Sequence, residues 1–232
     1  VNQLKGTIRT SKNPASMRQM KIHENQLQGC LDLTSLPDSL EVLSCHLNRL
    51  IGSINLTSLP PTLENMSLRA NRFEGEISLD SLPQSLMYLG LSENRLSGPV
   101  NLSRLPSSLC GLHLSVSMFH GSIDLSHLPS SLEVLRLCKN SLSGSLSMDN
   151  LPPTLEVLTL EKNQFSGDLN LDSLPNALEA FTIDNNNFDG TLIVNRLPER
   201  LKLLNISGNA FSRRCISPAM RKRLQTLGND DL

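Results

Sequence analysis

Leucines recur along the chain in short runs in which buried and polar positions alternate. Between residues 131 and 153, Leu135 and Leu137 flank a single charged residue, with Leu132 before them and Leu142 after them. An apolar residue at every second position is typical of a short β-strand with one buried face. The same run returns throughout the chain. We therefore predict a series of short strands that all bury the same side.

Three residue types keep a common step of 23 residues along the chain. Glycine follows four residues after each asparagine position as far as Gly190, and a proline precedes each new run of leucines. Only Ser117 departs from the asparagine series, whose members are Asn2, Asn25, Asn48, Asn71, Asn94, Asn140, Asn163, Asn186 and Asn209. A constant period of this length indicates a solenoid built by stacking one unit.

One unit, residues 131 to 153, reads SLEVLRLCKNSLSGSLSMDNLPP and contains the pattern L-x-x-L-x-L-x-x-N-x-L. The chain thereby resembles leucine-rich-repeat proteins over roughly residues 1–211, and its variable half is similar to plant-type and protist repeats. It departs from the plant pattern by placing L-P later, as at Leu128 and Pro129. The resemblance implies an α/β-type solenoid that is mostly β: a curved right-handed superhelix with a parallel concave β-sheet, and short second strands and turns on the convex side.

The recurring asparagine follows each strand at a tight turn, where backbone groups face inward. Its amide can both donate to and accept from those groups. We predict a structural ladder formed by Asn25, Asn48, Asn71, Asn94, Asn140, Asn163, Asn186 and Asn209. Ser117 has a shorter side chain and a hydroxyl instead of an amide, so we predict the weakest internal turn there. The second strand is expected from the glycine onward, for example over Gly121, Ile123 and Leu125.

Five of the six phenylalanines occupy the position two residues after the asparagine, where other repeats carry leucine. The shared position favours an interior spine that fills the solenoid over an aromatic stripe for a ligand. These residues are Phe73, Phe119, Phe165, Phe188 and Phe211.

The register ends after Asn209, and residues 212–232 form a predicted C-terminal cap. Ser217 and Pro218 suit the start of a helix, and Gly228 suits its end. Met220 and Leu224 fall on one helical face. The chain begins with Val1 in mid-repeat, so we expect it to be a piece of something longer.

Strand residues that alternate with the core leucines line the concave surface of such a solenoid. These positions are basic near the start of the chain and acidic near its end, and they include apolar residues that could anchor a partner. The candidate partner-binding residues are Lys21, His23, His46, Arg69, Tyr88, His113, Val134, Arg136, Val157, Glu161 and Asp184. The three histidines predict binding that strengthens as the pH falls through about 6.5.

No nucleophile, phosphate-binding or dinucleotide motif appears, so we expect neither enzymatic activity nor a cofactor. His23 and His46 should stand on adjacent strands with Glu24 beside them. Two imidazoles and an outlying carboxylate fall short of a catalytic metal set, so we assign no metal site from the sequence.

The net charge of −1, the 3% aromatic content and the absence of tryptophan argue against nucleic-acid binding outside an assembly, and small-molecule binding is not expected either. No signal peptide or run of about 18 apolar residues occurs in this segment. Five cysteines without close pairs favour free thiols and an intracellular location. Four glycosylation sequons, which begin at Asn55, Asn65, Asn101 and Asn205, leave a cell-surface or secreted location open.

The sequence thus favours a non-enzymatic protein-binding module that uses its concave face. Two alternatives stay open. The chain could be a structural subunit of a large assembly, with or without RNA, that makes contacts on several faces. It could also be the recognition domain of a longer receptor or enzyme.

Overall fold

The structure, a computed structural model, describes residues 3–10 and 14–229. These residues form twenty short β-strands and one C-terminal α-helix, α1, over Pro218–Thr226. The strands stack in parallel from one solenoid turn to the next. This arrangement confirms the predicted leucine-rich-repeat solenoid with a parallel concave sheet and a capping helix.

The concave sheet contains nine strands, one from each turn, in sequence order across the sheet. Each strand has three residues, and the middle residue points into the core. The strands are β2 (Gln19–Lys21), β4 (Val42–Ser44), β6 (Asn65–Ser67), β8 (Tyr88–Gly90), β10 (Gly111–His113), β12 (Val134–Arg136), β14 (Val157–Thr159), β17 (Ala180–Thr182) and β19 (Leu203–Asn205).

The remaining strands form two sheets behind the concave one. An eight-stranded sheet contains β1 (Lys5–Gly6), β3 (Gln26–Gly29), β5 (Arg49–Gly52), β7 (Arg72–Glu76), β9 (Arg95–Gly98), β11 (Met118–Ser122), β13 (Ser141–Gly144) and β15 (Gln164–Phe165). A three-stranded sheet near the C-terminus contains β16 (Leu169–Asn170), β18 (Thr191–Val194) and β20 (Arg213–Ile216).

The second strand of most turns lies earlier than we predicted. In the sixth turn it runs over Met118–Ser122, so it starts directly after the asparagine position, and Ile123 lies outside it. Gly121 has a φ of 82°, a left-handed conformation that turns the chain there. Ile123 and Leu125 are nevertheless buried, as expected of core residues. Among the described residues, β16 and β18 start after the glycine position, and β20 starts at the corresponding position, Arg213.

The asparagine side chains connect each turn to the one before it. Asn163 Oδ1 accepts a hydrogen bond of 3.0 Å from the Leu142 amide of the preceding turn. Its Nδ2 donates to the carbonyl oxygens of Leu137 and Leu160, each at 3.0 Å. The first of these carbonyls belongs to the preceding turn and the second to its own. The same acceptor bond recurs at Asn25, Asn48, Asn71, Asn94, Asn140, Asn186 and Asn209.

Asn229, which lies outside the 23-residue register, closes this ladder at the C-terminal end. Its Oδ1 accepts from the Ile206 amide at 3.2 Å, and its Nδ2 donates to the Leu204 carbonyl at 2.8 Å. Asn229 follows α1, in which Leu224 is buried while Met220 and Leu227 pack against the core. The cap therefore covers both the apolar and the polar interior of the last turn.

Ser217 and Arg223 attach the cap in ways that the sequence did not indicate. The Ser217 hydroxyl does not cap α1 but donates to the Asn195 carbonyl oxygen at 3.3 Å. Arg223 donates to the backbone carbonyl oxygens of Pro198 and Glu199. The guanidinium of Arg223 therefore holds the cap against the last repeat.

Ser117 leaves the polar interior incomplete at one turn. Its Oγ is buried and has no hydrogen-bond partner, whereas Phe119 two residues on still donates to Asn140. The preceding residue, Val116, has a φ of 59°, which is strained for a β-branched side chain. The unpaired hydroxyl and the left-handed valine both lower the stability of this turn.

We expect Ser117→Asn to raise the free energy of unfolding by about 1 kcal/mol, because an amide restores bonds to buried backbone groups. In the unmodified chain, amide hydrogens of residues 115–120 should exchange faster than those of neighbouring turns. The denaturant midpoint and hydrogen exchange measure these two effects. Ser141→Asn on an exposed strand position is the matched control and should change little. Equal midpoints for both variants, together with uniform exchange, would contradict this account.

Candidate protein-binding face

The nine short strands place their first and third residues on the outer side of the concave sheet. In β12, Leu135 is fully buried, while Val134 is half-buried and Arg136 is exposed. The parallel register sets Val134 beside Val157 and Arg136 beside Thr159 of the next turn. Equivalent residues of successive turns therefore form columns across the face. Contrary to our expectation of strand positions, five candidate residues lie two residues beyond the ends of their strands: His23, His46, Arg69, Glu161 and Asp184.

Most of the candidate binding residues reach this surface. Lys21, Arg69 and Arg136 are exposed. The partly exposed ones are His23, His46, Tyr88, His113, Val134, Val157 and Glu161.

Asp184 does not reach the surface, which corrects our expectation of an accessible carboxylate. It is only 8% exposed, and its Oδ2 accepts a hydrogen bond of 2.5 Å from Asn185 Nδ2. The neighbouring Glu161 accepts from the Thr182 hydroxyl at 2.6 Å. The acidic end of the face is therefore smaller than the sequence columns indicated, and its carboxylates already have partners within the chain.

The basic end is also altered by a residue outside the concave columns. Arg69 forms an ion pair with Glu93, with Nε and Nη2 at 3.0 and 2.5 Å from the same carboxylate oxygen. Glu93 lies in the turn before Asn94, where a φ of 59° sets the direction of its side chain. In the described part of the chain, Arg136 makes no such ion pair. Arg136 is thus the more available cation for a partner.

Tyr88 lies across the sheet in a space left by two glycines. A Cβ atom on Gly90 would stand 2.7 Å from the tyrosine hydroxyl oxygen, and one on Gly111 would stand 3.0 Å from the ring. The hydroxyl is 3.1 Å from His113 Nδ1, and the two rings meet edge to face at 5.0 Å. Glycine at these two positions therefore makes room for the Tyr88 ring. The sequence analysis did not reveal this role.

A hollow of about 350 Å³ lies on the N-terminal side of Tyr88. Val42 and Met66 give it an apolar floor, and the side chains of Lys21 and His23 stand at its rim. An apolar floor with the charged Lys21 side chain at its rim suits a partner segment that carries an apolar side chain next to an acidic one.

Two histidines of this face, His46 and His113, have a pKa below the ordinary value for histidine. Burial, and then the charges of Arg136 and Arg69, lower the pKa of His113 to about 4. Burial and the neighbouring His23 lower the pKa of His46. Because His113 stays neutral at pH 6.5, the predicted strengthening of binding at that pH is wrong for this residue.

The cysteines show no sign of activation. All five are free, and Cys138, beside the concave columns, has a pKa raised mainly by burial. A thiol with a raised pKa carries little of the nucleophilic thiolate at neutral pH.

Within residues 3–10 and 14–229, no helix is long and apolar enough to cross a membrane.

Comparison with known proteins identifies the fold. No protein-family model and no curated protein sequence matches the chain. Among solved structures it is similar to a plant ice-binding protein, with a TM-score of 0.67, 25% identity, and coverage of 93% of this chain and 71% of that one. It is also similar to YopM from Yersinia enterocolitica, with a TM-score of 0.59 and 27% identity. That match covers 90% of this chain and 46% of YopM.

The Arabidopsis receptor kinase HAESA, in complex with the peptide hormone IDA and the co-receptor SERK1, has a TM-score of 0.62 and 26% identity. The match covers 90% of this chain and 40% of that one. The chain thus spans less than half the length of YopM and of HAESA. Together with the 23-residue turns and their asparagine ladder, these similarities show that the chain has the leucine-rich-repeat fold.

Proposed function

We propose that this chain is a non-enzymatic module that binds a protein partner through its concave face. The observation that carries the proposal is the Tyr88 position, where Gly90 and Gly111 leave room for the ring beside an apolar hollow. A rigid aromatic ring with apolar surroundings is the kind of group on which binding energy concentrates in protein interfaces. HAESA, which has this fold, binds a peptide hormone.

The partner segment that fits best is extended, with an apolar side chain over Val42 and Met66. Acidic groups on either side of it would face Lys21 and Arg136. Neither cation forms an ion pair in the described part of the chain, so each is available for an intermolecular one. The sequence analysis expected a change from basic to acidic residues along the whole face. In this proposal only two exposed cations, one on each side of Tyr88, contribute to partner binding.

The plant ice-binding protein offers a different function, which the surface of this chain does not favour. In the eight-stranded sheet, the position directly after the asparagine, or after Ser117 in the sixth turn, holds Gln26, Arg49, Arg72, Arg95 and Met118 in successive turns. A surface that matches a crystal lattice has to present the same group at every step. Side chains that vary in size and charge do not provide such a repeat.

The experiment begins with capture of partners from the native source on the immobilised chain, followed by kinetics with the recovered partner. We expect Lys21→Glu with Arg136→Glu to slow association about tenfold at low salt and much less at high salt, because screening shortens the reach of steering charges. Tyr88→Ala should mainly speed dissociation. Arg104→Glu, an exposed convex arginine, is the matched control.

If Arg104→Glu or cap substitutions abolish binding while the concave variants bind normally, the module proposal is wrong. Contacts on several faces would instead favour the subunit of a larger assembly. A footprint confined to the concave face, found within a longer native polypeptide, would identify the chain as the recognition domain of a receptor or enzyme.

A further inference from the structure

His23, Glu24 and His46 come together at one edge of the concave sheet, on two adjacent turns. One ring nitrogen of each histidine and one carboxylate oxygen of Glu24 all lie within 4.8 Å of one another. The two imidazole rings are stacked, with centroids 4.5 Å apart and planes only 5° from parallel. Two histidines are therefore held side by side with a carboxylate next to them.

Ser44 links the two rings from behind. Its Oγ is 3.1 Å from His23 Nδ1 and 3.0 Å from His46 Nδ1. A hydroxyl oxygen has two acceptor lone pairs, so it can accept an Nδ1–H from both rings at once. Each ring then carries its free lone pair on Nε2. A histidine that binds a metal characteristically donates its other ring N–H to such a partner.

The backbone fixes the relative positions of the three residues. The Glu24 amide donates to the His46 carbonyl oxygen at 3.0 Å, and the Ile22 amide donates to the Ser44 carbonyl oxygen at 2.8 Å. Glu24 has a φ of 54°, and the Asn25 ladder bonds follow directly after it. The site therefore lies just after β2 and β4, where these backbone and ladder bonds hold the chain in place.

We propose that His23, Glu24 and His46 bind one divalent transition-metal ion. Imidazole nitrogens with one carboxylate oxygen suit Zn²⁺, Cu²⁺ and Ni²⁺ more than the hard ions Mg²⁺ and Ca²⁺. Ligand atoms on one tetrahedral Zn²⁺ stand about 3.4 Å apart, given Zn–N distances near 2.1 Å. Metal binding would therefore require these side chains to rotate, so that the ligand atoms come closer than 4.8 Å and the two parallel rings tilt toward the ion.

The charges around the site are mixed. Glu24 supplies a negative charge, Lys21 lies close to His23, and Arg69 is paired with Glu93. Three protein ligands leave coordination positions for water or for a carboxylate of a partner.

The test is calorimetric titration of the full chain with ZnCl₂ after alkylation of the cysteines, because the exposed Cys30 thiol could bind zinc itself. We expect one equivalent to bind. His46→Gln should weaken binding by at least about tenfold. Ser44→Ala should weaken it by about tenfold, because the hydroxyl that holds Nδ1 of both histidines is lost. His120→Gln, at an exposed histidine on the convex side, is the matched control and should bind as the unmodified chain does.

A second measurement needs no variant. Nitrogen NMR of the histidine rings during the titration should show that the Nε2 signals of His23 and His46 move, while those of His113 and His120 stay in place. The proposal fails if no saturable binding occurs up to millimolar Zn²⁺. It also fails if His46→Gln and Ser44→Ala bind like the unmodified chain, or if other histidines move instead. Partner capture is a separate assay, so either proposal can fail without the other.

Discussion

Replacing Phe165 by alanine should lower the free energy of unfolding by about 3–5 kcal/mol, the largest loss that we expect from a single side chain here. Phe165 is fully buried at the position two residues after Asn163, in line with Leu142 and Phe188 of the adjacent turns. Truncation leaves a cavity between three turns, and the stacked backbones on either side limit how far the chain can collapse to fill it. Chemical denaturation measures the loss.

Two variants at neighbouring positions separate this cavity effect from other causes. Phe165→Leu restores the residue that other repeats carry at this position and should cost only about 1–2 kcal/mol. Gln164→Ala, exposed on the same strand, should change stability by less than about 0.5 kcal/mol. If Phe165→Ala and Gln164→Ala unfold at the same midpoint, the phenylalanines do not form the interior spine.

Much of this fold follows from the 23-residue register, because identical spacing puts equivalent residues in equivalent environments. The buried phenylalanines, the asparagine ladder and the columns of the concave face all repeat with that period. Asn229 could not be found in this way, since it closes the ladder from a helical cap 20 residues after Asn209. The position of the second strand was also hidden, because it depends on where the glycine takes a left-handed conformation.

The candidate site was less predictable than the fold. Aligning equivalent positions of successive repeats shows which residues share the concave face, but it leaves out the residues of the adjoining turns that contact them. The Glu93 side chain that pairs with Arg69 comes from such a turn, and so does the Asn185 amide that contacts the buried Asp184. Gly90 and Gly111 look like gaps in two columns until the ring of Tyr88 is seen to occupy them. The missed partners of Arg69 and Asp184, and the missed role of the two glycines, all depend on contacts between residues at different positions of the repeat.

The residues that precede the asparagine positions add a further conformational cost to the turns. Seven that precede an asparagine, and Val116 before Ser117, are not glycine and have φ values between 54° and 59°. Left-handed backbone is unfavourable for side chains such as Leu47 and Val116. The asparagine bonds offset that cost, because they hold the same turn that requires the left-handed residue. The ladder is therefore expected to set the stability of the turns.

Asn163→Ala should lower the free energy of unfolding by about 1–3 kcal/mol, at the upper end of that range, because it leaves a buried amide and two buried carbonyl groups with fewer partners. The side chain is 8% exposed and bonds to Leu142 of the preceding turn as well as to its own turn. Denaturant midpoints measure the loss, with Asn150→Ala at an exposed position as the matched control. Hydrogen exchange should quicken in the two turns that Asn163 joins and not at the cap. Equal midpoints for the two alanine variants would show that the ladder contributes no stability, and the left-handed turns would then need another source of compensation.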